Sequence, residues 1–279
     1  MSIRRPRFWG LHADPGPWLG RLLAALPFLL ILLLYGVGSE IRHRDNPSDK
    51  LLPTFSEMGE AVHRMALTPD ARSGDYLMVK DTAASLKRLG LGIGLAALVG
   101  MLLGLHMGLF PVVRVSLSPP VTFLTMVPPL AILPILFIAL GVDELAKVML
   151  IFIGTAPVIA RDLYLATGRI PREQITKALT LGAGPLAIAY RILLPQLLPR
   201  LIDAVRLCLG SAWLFLIAAE AIASTDGLGY RIFLVRRYLA MDVILPYVLW
   251  ITALGFSLDW LLRGLLRWRF AWYLKTAGS

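Results

Sequence analysis

The sequence predicts an all-α, polytopic membrane protein with about six transmembrane helices, and three observations lead there. Of 279 residues, 57% are apolar and only 16% charged, where a soluble globule carries about a quarter charged residues. The mean hydropathy is +0.70. Six apolar runs, at 18–38, 83–109, 115–140, 145–167, 196–223 and 243–266, each reach or exceed the ~20 residues that a ~30 Å hydrocarbon core requires.

Composition also excludes several classes of function. Cys208 is the single cysteine, so no internal disulfide can form. The four histidines, His12, His43, His63 and His106, are scattered rather than spaced as metal ligands. No metal or other cofactor is expected. The net charge of +10 comes from basic residues flanking apolar runs, which suits membrane lipid; no basic stripe interleaved with aromatics points to nucleic acid.

Taken in order, the chain opens on a tail, 1–17, holding Arg4, Arg5 and Arg7. The apolar run that follows is longer than the core of a cleavable signal, so it reads as a retained first span. Pro27 inside it is tolerable in a membrane helix. The polar segment 39–82 comes next. Apolar residues at Phe55, Met58, Val62 and Met65 mark an amphipathic helix there, lying on the protein or at the interface. An even number of spans puts both termini on one side. The acid-free C-terminal stretch with Arg263, Arg267, Arg269 and Lys275 places that side, including the tail 267–279, in the cytoplasm. Residues 83–266 then form a core of five spans.

Gly100, Gly104 and Gly108 make a small-xxx-small stripe on the second span, which predicts close approach of another helix and assembly of two copies through this core. Gly92-Ile-Gly94 lies inside the same apolar helix with no strand before it, so packing and not dinucleotide binding explains it. No GxxxxGK[S/T] phosphate loop exists in the chain. The third span carries Pro119, Pro120, Pro128, Pro129 and Pro134. Each removes a backbone donor, so the helix is expected to break where it is buried or lines a hydrated path.

Between the fourth and fifth spans, 168–200 is polar and basic. Pro171 suits the first turn of a helix, and Glu173 complements its positive end. Ile175, Ala178 and Leu179 share a face of it. Gly182-Ala-Gly184-Pro185 ends that helix and starts another, running through Ile188 to Pro195. Two short helices in an L, with a small apolar outer face, are expected to dock a partner.

Gly182 is followed, after nine residues, by Ile192-Leu193-Leu194-Pro195. That spacing, in a loop between two spans, resembles the cytoplasmic coupling loop of binding-protein-dependent ABC importer permeases. The acidic opening of their motif is absent: Thr176, Lys177 and Ala178 stand where Glu-Ala-Ala would be, and only Ala178 agrees. The resemblance runs from about Leu52 to Trp272 and is closest to the nitrate/sulfonate/taurine type. It rests further on the segments 81–88, 128–134 and 218–229, while 230–242 is similar to a branch linked to urea or guanidine utilisation. It implies the ABC importer permease fold in a bacterial inner membrane. It also implies two cytoplasmic ATP-binding subunits docked on the loop, an extracytoplasmic solute-binding protein, a second permease copy, and no enzymatic activity in this chain.

Ionisable groups at membrane depth are costly and need a reason. Glu220, near the far end of the fifth span, reads either as a pathway or gate carboxylate or as a buried partner for Arg231, Arg236 or Arg237. Pro128, Pro129 and Pro134 are the other pathway or gate candidates. Asp203 and Arg206 form an i, i+3 pair; Arg161, Asp162 and Asp259 are expected to reach the interface; His106 reads as a hydrogen-bonded packing residue. An ion-gradient-driven secondary transporter is the alternative class. It would predict inverted repeats and paired charges at the midplane, and neither is evident.

Overall fold

In a computed structural model, residues 16–46, 49–71 and 73–277 are described. The N-terminal arginines Arg4, Arg5 and Arg7, together with His12 and the side chain of Lys275, lie outside the described residues. Twelve helical segments follow one another: α1 Pro17–Asp45, α2 Phe55–Val62, α3 Leu77–Leu109, α4 Pro111–Met126, α5 Leu133–Leu140, α6 Glu144–Thr167, α7 Arg172–Thr180, α8 Pro185–Ile188, α9 Leu194–Ile222, α10 Leu228–Arg236, α11 Met241–Arg269 and α12 Ala271–Ala277. Among the described residues five helices, with α8 and α9 counted as one, are long and apolar enough to cross a membrane. The pair α4 and α5, bent by 87°, makes a sixth crossing if taken together.

That bend refines the expectation for the third span. Pro119 and Pro120 sit inside the continuous helix α4, and the break falls at Val127 and Pro128 instead. Adjacent prolines need not interrupt a helix whose own preceding turn can lose those bonds; α4 starts only eight residues before Pro119. Pro129 opens a short 3₁₀ turn, Pro129–Ile132, and Pro134 lies in the first turn of α5, where a missing N–H is harmless.

The central seam is α3 against α6. A Cβ on Gly92 would lie 2.6 Å from Ile151 Cβ, one on Gly100 2.7 Å from Ile159 Cγ2, and one on Gly104 2.6 Å from Leu163 Cβ. At Gly108 it would run into the Thr167 side chain. With Ala96 fully buried between them, the small residues repeat every fourth position and keep one face of α3 against α6 for more than four turns. The stripe therefore does meet another helix, but that helix belongs to the same chain. It is not the surface through which two copies would join.

Around this seam, α9 completes the core. One half of the interior holds Leu89, Ile93, Leu150, Ile151, Phe215, Leu216 and Tyr247. The other holds Leu105, Ile159, Leu163, Ala178, Ile188 and Leu193, so it reaches into the loop after α6. Helix α1 stands apart. Only 6% of its most apolar window is buried, and it is fastened near its C-terminal end, where Tyr35 donates to the Pro53 carbonyl at 2.6 Å and Ser39 to the Leu52 carbonyl at 2.9 Å. Helix α2 lies on the protein as its pattern suggests, with Phe55 against Tyr35 and Met58 buried. Its N-terminus is a capping box: Thr54 accepts from the Glu57 amide while the Glu57 carboxylate accepts from the Thr54 amide at 2.7 Å.

Candidate functional site

The two ends of the bundle carry different devices. At one end α6 runs out at Thr167, α7 crosses outside the spans, and the chain turns back into α8 and α9. Helix α7 stops because Gly182 takes φ +80°, a conformation only glycine adopts without strain. The Ala183 amide then donates to the Ala178 carbonyl at 2.9 Å and the Gly182 amide to Leu179 at 2.9 Å, closing the helix end. Nothing lies within 4 Å of a Cβ built on Gly182, so backbone conformation alone sets the requirement within this chain.

Ala178 is the buried residue of α7, packed with Ile188, Ala189 and Leu193. Thr176 and Lys177 face outward. Within Ile192-Leu193-Leu194-Pro195 the fully buried side chain is Leu193; Ile192 and Leu194 are half-buried and Pro195 is exposed. The second short helix is not separate. It passes through one turn of wider π winding, Ala189–Leu193, into α9, and Pro195 sits in the first turn of that helix without ending it. A π turn absorbs the one bond that Pro195 cannot donate, which spacing alone could not foretell. Leu179, which shares a face of α7 with Ile175 and Ala178, is exposed as well. Together Leu179, Leu181 and Leu186 leave an apolar corner open, with Leu181 79% exposed.

At the opposite end a buried ionic cluster joins four helices. Asp81, Ser85 and Arg88, spaced i, i+4 and i+7, line one face of α3. The Arg88 guanidinium has five N–H groups, and each is bonded. Nε and Nη2 donate to the two oxygens of Glu144 on α6, at 2.6 and 2.7 Å. Nη1 donates to Glu220 on α9 at 2.7 Å and to the Asp226 carbonyl at 3.0 Å. The remaining Nη2 hydrogen reaches the Asp226 carboxylate. Only this planar fork serves three carboxylates at once.

Glu220, fully buried, also accepts from the Ser85 hydroxyl at 2.8 Å and from the Gly229 amide at 2.9 Å. Its partner is thus Arg88 of another span and not Arg231, Arg236 or Arg237 of the following segment. Arg231 bonds Asp81 instead, Nε to Oδ2 at 2.7 Å. Burial pulls the Arg231 pKa down, but the Asp81 carboxylate beside it outweighs that, and the net shift is upward. Asp81 further accepts from the Gly227 amide at 3.0 Å and the Tyr247 hydroxyl at 3.2 Å, while the Ser85 hydroxyl accepts from the Leu228 amide at 2.9 Å.

The first three amides around the start of α10, those of Gly227, Leu228 and Gly229, are therefore each satisfied by a side chain from α3 or α9. These are the donors a helix N-terminus leaves orphaned. Glycines stand there because space demands it. A Cβ on Gly227, at φ +113°, would lie 2.5 Å from Glu220 Cδ, and one on Gly229 would lie 2.7 Å from the Ile217 carbonyl. Pro128, Pro129 and Pro134 lie at the bend between α4 and α5, whose Ile132 and Leu133 pack in the same apolar cluster as Leu216 and Ala219 of α9.

Arg161 is exposed, while several other ionisable residues are paired. Arg206 binds Asp203 and Asp259, both at 2.8 Å. Asp162 does not reach outward alone but holds Arg200 in a two-point pair, with Nε to Oδ2 at 2.8 Å. His106 contacts the Leu102 carbonyl and the Tyr190 hydroxyl, as a packing residue would. Arg88 was the residue that motif reading passed over. Its signal was present in the i, i+4, i+7 polar face of an otherwise apolar helix.

Residues 96–270 match the family model described as binding-protein-dependent transport system inner membrane component. The chain is 35% identical to the taurine transport system permease protein of Escherichia coli (strain K12), over 79% of this chain and 81% of that one. It is 32% identical to a bicarbonate transport system permease protein of Synechococcus elongatus, over 78% of both chains. A putative aliphatic sulfonates transport permease of Escherichia coli is 33% identical over 58% of this chain and 63% of that one. Among solved structures, a chain of the inward-facing MetNI methionine ABC transporter superposes with a TM-score of 0.56 at 21% identity, covering 70% of this chain and 99% of that one. With a broken third span, a glycine-ended helix between the fourth and fifth, and these matches along most of its length, the chain belongs to the family of binding-protein-dependent ABC importer permeases.

Proposed function

We propose that this chain forms the membrane path of an ATP-driven importer for a small oxyanion or sulfonate, working as a homodimer with two cytoplasmic ATP-binding subunits and an extracytoplasmic solute-binding protein. The observation that carries the reading is the corner at 179–186. Exposed Leu179, Leu181 and Leu186 stand on a base held by buried Ala178 and Leu193, which is the rigid apolar surface that a force-transmitting partner needs. In this reading residues 168–200, including Thr176, Lys177, Gly182, Ile192, Leu194 and Pro195, are the coupling loop. The corner and both termini then face the cytoplasm, and the ionic cluster lies at the outer end. The missing acid at Thr176 leaves docking to shape and apolar contact.

The state of Glu220 bears on the substrate. A free carboxylate would favour a planar cation such as guanidinium, but this one is taken by Arg88, Ser85 and Gly229. That supports a clamp over a cation site, and leaves no unpaired negative charge at this position to repel an anion. Sulfonate and bicarbonate relatives agree with it. The decisive experiment is uptake into proteoliposomes holding the permease with its co-expressed ATPase and binding protein. Accumulation should need ATP inside, the binding protein outside, and a sulfonate or small oxyanion. Uptake driven by an ion gradient without ATP would overturn the reading, and saturable uptake of guanidinium would overturn the substrate class.

A further inference from the structure

A second site lies beside α7, where the C-terminal helix folds back. A cavity of about 240 Å³ is lined by Arg169, Ile170, Gln196, Arg200, Trp272 and Tyr273, among others. It sits where α6 ends at Thr167 and α11 at Arg269, which is the level of the lipid headgroups at the ends of membrane spans. Trp268, 83% exposed on the last turn of α11, is placed as an interfacial aromatic.

The charges around the cavity do not cancel. Asp162 is answered by Arg200, and Asp203 by Arg206. The Tyr273 hydroxyl bonds both Arg200 and Asp203 and so holds α12 in place. Arg206 also meets Asp259, whose charge Arg263 balances in turn. Arg169 has no such partner: its guanidinium makes no hydrogen bond or ion pair among the described residues, and it lines the cavity with one positive charge in excess. The lining also includes the apolar side chains of Ala166, Ile170 and Leu197.

We propose that this cavity binds the phosphate diester of an anionic membrane lipid, linking α12 to the start of α7. Arg169, which lines the cavity together with Arg200, gives the phosphate charge-assisted donors. The indole of Trp272 and the apolar lining cover the glycerol, and basic pockets between helix ends suit such headgroups. The same chemistry would accept free phosphate, so the source has to be separated by experiment. The binding claim does not depend on the transport reading. Only its consequence does, that lipid steadies the coupling loop.

The test is native mass spectrometry of the purified transporter delipidated and titrated with dioleoyl phosphatidylglycerol or dioleoyl phosphatidylcholine. Phosphatidylglycerol should be retained preferentially, and Arg169→Gln should weaken its retention about fivefold while leaving phosphatidylcholine unchanged. Arg169 holds nothing else in place, so this variant should keep the wild-type melting temperature. Trp272→Ala gives a second reading from another residue of the lining and should weaken the same lipid. Millimolar inorganic phosphate should not displace it. Equal retention of both lipids, equal retention by wild type and Arg169→Gln, or displacement by inorganic phosphate would each overturn the lipid assignment, the last by giving the site to free phosphate.

Discussion

Arg88 and Glu220 lie 132 residues apart and meet at 2.7 Å in the bundle interior. The segments 81–88 and 218–229, separate in sequence, face each other there, and the loop at Gly227 rests on the pair. Because Arg88 also binds Glu144 and Asp226, one guanidinium ties α3, α6, α9 and the start of α10 together.

Removing Arg88 leaves the buried Glu220 without a counter-charge, which costs about 3–5 kcal/mol, whereas Arg88 keeps Glu144 and Asp226 when Glu220 is lost. Arg88→Met is expected to lower the melting temperature of the purified transporter steeply. Arg88→Lys is expected to recover little, since an ammonium cannot serve three carboxylates in one plane. Glu220→Gln should cost less, because its amide oxygen can still accept from Arg88 or Gly229. If Glu220→Gln raised the Michaelis constant selectively with its melting temperature unchanged, a substrate contact would replace the clamp.

The α3 seam predicts opposite outcomes for glycines ten residues apart. A Cβ on Gly104 meets Leu163 at 2.6 Å and the Ala160 carbonyl at 2.9 Å, whereas one on Gly94 meets nothing within 4 Å. Gly104→Leu should overpack the interface and cost about 1–3 kcal/mol or more. Gly94→Ala should be neutral or slightly stabilising, as alanine favours helix over glycine. Thermal denaturation in detergent compares the two directly, and equal effects would count against the seam.

At Gly182 the demand is conformational. With φ +80° and open space around it, Gly182→Asn should be tolerated better than Gly182→Val, because asparagine visits the left-handed region and a β-branched residue does not. Gly182→Trp should insert normally yet uncouple ATP hydrolysis from uptake. Wild-type coupling in that variant would remove the docking role.

The capping box before α2 titrates. The Thr54 amide bonded to the Glu57 carboxylate, with the Thr54 hydroxyl and His43 beside it, holds that acid below the usual carboxylate range. A depressed folded pKa means the contribution is complete above the ordinary glutamate value and is lost as pH falls through the lower folded one. Hydrogen exchange of the α2 amides, corrected for intrinsic rates, should show protection falling below about pH 4. Glu57→Gln should flatten that fall.

What the sequence determined by itself was everything governed by local period and length. Span length follows from a fixed rise per residue across a fixed apolar thickness, so the apolar runs, the bent third one included, could be placed by counting. Gly182 and Pro171 marked their turns because backbone conformation is a property of the residue. The tertiary structure alone decided which charges met. Glu220 could have reached forward to Arg231 or sideways to Arg88, and only the rotation and depth of α3 against α9 select between them. The same holds for Gly104, whose small face was plain while its partner was not. Pairing across more than a hundred residues depends on packing that no local pattern encodes.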